Sequence, residues 1–201
     1  MSELTSFMHL GFRHITDPAA MDHILFLMAL AAIYRGRDWR DSLWVVSAFT
    51  VGHSITLALA VTGTLLLPTG IIEFLIPVTI VATGLENIIV TNRARAPLAG
   101  RYRPVFAGVF GLVHGAGFAN YLRDLFSGSI ALPLFGFNVG IELGQLVVLV
   151  VAGVGLTALD RLFGPATSRW PLLSAYRIRV VAVSLAVVVV ATGMAAARTP
   201  W

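Results

Sequence analysis

Six apolar stretches, each close to the length a helix needs to cross a bilayer, divide this chain and leave little of it over. A crossing helix takes roughly 20 residues, and the stretches fall at about 18–34, 43–66, 71–90, 104–122, 130–156 and 175–197. The sequence therefore predicts an all-α polytopic membrane protein, a bundle of about six transmembrane helices forming a single domain over 1–201. With 57% apolar and 12% charged residues in 201 positions, no length remains for a separate soluble domain. Glu3 to Arg13 reads as a short external amphipathic helix with His9 on its surface. Asp17 and Pro18 read as the N-cap and first turn of span one. No cleavable signal peptide is evident, because Met1 to Thr16 lacks a basic start and an apolar core.

Cysteine is absent, which removes disulfides, thiolate ligands and thiol nucleophiles together. Any metal would have to be held by nitrogen and oxygen. The formal charge of +4 rests on arginine, since there is no lysine. Those arginines gather in alternate loops: Arg35, Arg37 and Arg40 after span one; Arg93, Arg95, Arg101 and Arg103 after span three; Arg161, Arg169, Arg177 and Arg179 after span five. Leu67 to Gly70 carries no charge, and the turn after span four has only Arg123 with Asp124. This bias argues topology rather than nucleic-acid binding, and it predicts a multi-pass inner-membrane protein with both termini outside the cytoplasm.

Against that apolar background the ionisable residues stand out. Asp22 and His23 fall in span one, His53 in span two, Glu86 in span three, His114 in span four and Glu142 in span five. Each costs about 2.5 to 3.5 kcal/mol at bilayer depth, so the set must converge on partners, water or a metal. By depth, His14 and Glu73 lie at the external rim, Asp22 and His23 in the outer third, and His53, His114 and Glu142 near the middle. Glu86 and Asn87 lie toward the cytoplasm. Asn138, Glu142 and Gln145 share one helical stripe, and Thr50 and Thr56 flank His53. Glycines at 136, 140 and 144, and at 108, 111 and 115, form small-residue seams suited to close helix contact; they could also join copies into a homo-oligomer. Imidazole with carboxylate suits zinc, nickel, copper, iron or cobalt. For one histidine alone the plainer reading is an interhelical hydrogen bond, and for Glu86 with Asn87 a structural cap.

Four runs resemble the HupE/UreJ family of hydrogenase and urease accessory membrane proteins: GFRHITDPAAMDHILFL at Gly11 to Leu27, AFTVGHSITLAL at Ala48 to Leu59, FGLVHGAGFA at Phe110 to Ala119, and FNVGIELGQL at Phe137 to Leu146. The resemblance implies a small bacterial membrane protein tied to the supply of nickel to maturing metalloenzymes. It assigns the family's histidine and Asp-His motif to His14, Asp22 and His23, and its other polar positions to His53, Glu73, His114, Asn138, Glu142 and Gln145. The spacer between His14 and Asp22 is longer than the family motif usually carries and includes Pro18, which is expected to set His14 outside span one.

Two functions follow as expectations. In the first, a divalent transition metal permeates from an external mouth at His14 and Glu73, through a capture pair at Asp22 and His23 and a central site at His53, His114 and Glu142, to an inner exit near Glu86. In the second, the same groups form a sealed, outward-opening site of a membrane metalloenzyme, a hydrolase or an oxidoreductase. No ATP-binding motif is present.

Overall fold

Every one of the six apolar stretches becomes helix, and a break at Asp17–Ala20 separates the first from the helix of the amphipathic segment before it. The structure, a computed structural model, describes residues 2–65, 68–90, 101–123, 130–167 and 174–200. Leu66, Leu67, Arg93, Arg95, Asp124 and Arg169, on which parts of the span and loop reading rest, lie outside them. The elements are α1 (Glu3–Thr16), α2 (Met21–Ile33), a 3-10 turn at Gly36–Asp38, α3 (Trp39–Val61), α4 (Thr69–Ile89), α5 (Arg103–Arg123), α6 (Ala131–Thr167) and α7 (Ala175–Ala197), with no strand among the described residues.

Four helices, α3, α4, α6 and α7, are long and apolar enough to cross a membrane, and α1 with α2, bent by 68° at their break, make up to a fifth. The 21-residue α5 carries four glycines and His114 and is not among them. The direction of each helix nevertheless alternates as six crossings require. Gly136, Gly140 and Gly144 of α6 meet Leu4, Met8 and Ile15 of α1 in that order, so the two run parallel. Gly111 and Gly115 of α5 meet Phe49 and His53 of α3, again parallel. Gly84 and Gly70 of α4 meet Ser184 and Pro200, so α4 and α7 are antiparallel. Near the start of α2, Asp22 bonds Arg198 just past the end of α7, while Tyr176 at the start of α7 bonds the carbonyl of Ile33. Hence α1, α2, α4 and α6 descend while α3, α5 and α7 ascend. The arginine pairs Arg35 on Tyr176, Arg103 on Glu86 and Arg179 on Asp160 therefore all lie at one end.

The amphipathic segment forms the expected helix with His9 exposed; its other face packs, with Gly11 and Ile15 buried, and the α6 glycines let the α1 backbone approach so closely that a Cβ at Gly140 would stand 2.0 Å from the Met8 carbonyl oxygen. The glycine seams are filled from within the chain, the α6 seam by α1 and the α5 seam by α3. Asp17 and Pro18 do not start α2. Asp17 is the C-cap of α1, its carboxylate accepts from the Ala19 N–H at 2.8 Å, and α2 begins only at Met21. A side chain that caps a local turn competes with helix, and proline lacks the donor to continue one.

Candidate metal centre

The break puts two histidines side by side. His14 precedes it and His23 follows it, and the turn at Asp17–Ala20 brings their rings to 4.6 Å, edge to face. From α3, His53 joins them at 6.2 and 6.4 Å. His14, His23 and His53 each present a ligand atom within 4.8 Å of the others. From α5, His114 stands 5.6 Å from His23. Its Nδ1–H donates to the Phe110 carbonyl at 2.9 Å, which fixes the proton there and leaves the Nε2 lone pair free.

The donor set fits a metal ion on one further count. His14 Nε2, His23 Nε2, both nitrogens of His53 and His114 Nε2 are buried with no hydrogen-bond partner among the described residues. A buried polar atom left unmade costs about 1 to 3 kcal/mol, and proteins rarely leave several together. Two nitrogens on one tetrahedral ion with bonds of about 2.1 Å lie roughly 3.4 Å apart. The ligand atoms of His14, His23 and His53 lie within 4.8 Å of one another.

The surroundings are aromatic below and open above. Phe118 lies 4.0 Å from His14 and stacks on Phe137. Phe26 and Phe49 stack at 4.9 Å, with Phe49 5.0 Å from His114. Toward the end opposite the arginine pairs, a cavity of about 310 Å³ is lined by His14, His23, His114, Asp22, Glu73 and Arg198. A wider cleft of about 790 Å³ runs along the polar face of α1, past His9 and Arg13, to His14 and Phe118. On the far side of the phenylalanine stack, a small cavity of about 110 Å³ has Phe26 and Phe110 in its wall and Glu86, Tyr102 and Arg103 at its polar end.

The other expected residues divide into cavity wall and packing. Asp22 and Glu73 line the cavity without joining the imidazole group, and Asp22 is engaged by Arg198. His14 is not an outlying rim residue but a member of the cluster. Glu142 is not in the centre: its Oε1 accepts from Ser47 at 2.6 Å. Gln145, 1% exposed, accepts from Thr50 at 2.9 Å. Asn138 keeps a buried Oδ1 with no partner among the described residues. At about 100° per residue these three positions share one stripe of α6, and its Glu142 and Gln145 bond Ser47 and Thr50 of α3.

Glu86 is engaged at both carboxylate oxygens. One carboxylate oxygen accepts from the Tyr102 hydroxyl and the other from Arg103, which is 6% exposed and also donates to Asn87 at 3.2 Å. Asn87 in turn donates to the Ala29 carbonyl at 2.7 Å. Burial, and next the bond to Glu86, hold the Tyr102 hydroxyl above the usual phenol range, so it remains a donor. This network ties α2, α4 and α5 together. Glu86→Gln should therefore lower unfolding stability by on the order of 3 kcal/mol, because a buried guanidinium loses its counter-charge, and leave metal occupancy unchanged. Thermal melts paired with metal analysis of the purified variant check both halves.

What fold and site define together is a helical membrane protein with an intramembrane imidazole cluster. The family profile described as HupE / UreJ protein matches residues 1–198, and the chain belongs to that family. No curated protein and no solved structure matches the chain.

Proposed function

We propose that this protein binds divalent transition-metal cations of the nickel and cobalt kind at His14, His23 and His53, with His114 beside them, and passes them across the bacterial inner membrane. The observation that carries the reading is the convergence of imidazoles from four helices, three of them with ligand atoms within 4.8 Å of one another and all four with buried nitrogens that lack a partner among the described residues. Neutral imidazole is a good ligand for these ions and a poor one for alkali cations. Family membership supports a metal transport or accessory role.

In this reading the arginine-bearing end faces the cytoplasm by the positive-inside rule, and the cleft along α1 opens outward. The membrane potential then drives the cation inward, at about 2.3 kcal/mol per charge per 100 mV. The Phe26–Phe49 stack is the inner closure of an outward-open state, and the small cavity beneath it is the next station. The same closure also favours the alternative, an outward-opening metalloenzyme whose bound metal would activate water or oxygen and never cross. Uptake into proteoliposomes separates the two. The expected result is accumulation of nickel, cobalt or zinc above empty vesicles, with Phe49→Ala changing the rate and not the stoichiometry of binding. Vesicles that accumulate none of the three, around protein that retains stoichiometric metal, would replace transport by the enzyme.

A further inference from the structure

We propose that Arg198 is a resident counter-cation of the metal cavity, held on Asp22 until an incoming dication displaces it. The inference rests on the metal-binding reading above. Arg198 is the C-cap of α7, and its backbone N–H bonds the Ala195 carbonyl at 3.2 Å, which fixes where the side chain starts. The side chain reaches back into the cavity wall shared by Asp22, Glu73, His14, His23 and His114. There a single nitrogen, Nη1, lies 3.3 Å from both oxygens of Asp22.

That geometry differs from the Arg179–Asp160 and Arg103–Glu86 pairs among the described residues. Arg179 holds Asp160 at 2.6 Å, and Arg103 holds Glu86 while 6% exposed. Arg198 is 33% exposed and Asp22 20%. A fork-on-fork pair would place two nitrogens on the carboxylate at about 2.7 to 2.9 Å; one nitrogen bridging both oxygens at a longer distance is a looser clasp. Without its partner, Asp22 would present an uncompensated carboxylate beside three imidazoles at the mouth of the site. With it, the cavity is closer to charge balance before any cargo arrives. A dication brings two charges to a carboxylate that Arg198 covers with one, whereas a monovalent cation gains nothing by the exchange. The clasp thus sets a threshold for loading and biases it toward divalent ions.

The test is calorimetric titration of the full chain in lipid nanodiscs with nickel chloride and cobalt chloride. Arg198→Gln should tighten apparent affinity by about three- to tenfold, and Arg198→Lys should stay close to the parent protein. In an Asp22→Asn background, Arg198→Gln should add nothing, since the pair is already broken. Affinity that is unchanged or weaker in Arg198→Gln, while the parent protein binds normally, overturns this proposal alone and makes Arg198 a positioning residue. A parent protein that binds neither ion removes the metal reading and this inference with it.

Discussion

Replacing His53 by alanine should lower metal affinity about tenfold or more. His53 is 0% exposed, both of its ring nitrogens lack partners among the described residues, and it is the α3 member of the three-imidazole group. Loss of groups that merely orient metal ligands typically costs 10- to 100-fold, so loss of a ligand should cost at least as much. His114→Ala should cost less, because one of its nitrogens is committed to the Phe110 carbonyl and its ring stands outside that group. Metal content of the purified variants, measured after dialysis against a fixed free concentration, orders the two. Equal, undiminished occupancy in both would remove the proposed centre.

A second large effect should come from a residue that touches no ligand. At Gly140 an added Cβ would lie 2.0 Å from the Met8 carbonyl oxygen and 2.8 Å from the Phe12 nitrogen, both of them backbone atoms of α1. Real Cβ contacts stay above 3.0 Å, so Gly140→Ala must push α1 off α6 by about 1 Å or more, at a cost of about 1 to 3 kcal/mol. His14 travels with α1. The variant should therefore lose metal affinity as His14→Ala does, although the imidazoles of α2, α3 and α5 are untouched. Gly153 on the same helix supplies the control: nothing lies within 4 Å of its added Cβ, and Gly153→Ala should be neutral or gain up to about 1 kcal/mol of helix propensity. Melts and nickel titrations of the two variants make the comparison, and parity between them would contradict the close contact of α1 with α6.

The class of fold was legible because hydropathy and helix length are properties of single segments. The histidines were legible for a similar reason: an ionisable group in an apolar run is conspicuous whichever way it points. Relations between segments were harder to read. Glu142 and Gln145 share a stripe, but periodicity cannot say which neighbour that stripe meets, and it meets Ser47 and Thr50 rather than the imidazoles. His14 was placed at the rim because distance along the chain was read as distance in depth, and the turn at Asp17–Ala20 cancels that distance. Some of what was missed left a signal. Phe49 stands four residues before His53, and Phe110 and Phe118 four residues either side of His114, so the aromatic lining falls on the histidine faces by helical spacing alone. Arg198 left none, since its contact with Asp22 spans 176 positions.

The 68° bend between α1 and α2 has a mechanical meaning as well. His14 and His23 belong to two rods that no continuous ladder of backbone bonds joins, so an ion shared by both rings is also a rivet across the elbow. Capture stiffens the joint and release frees it. The angle of the elbow and the residence time of the cargo become one variable.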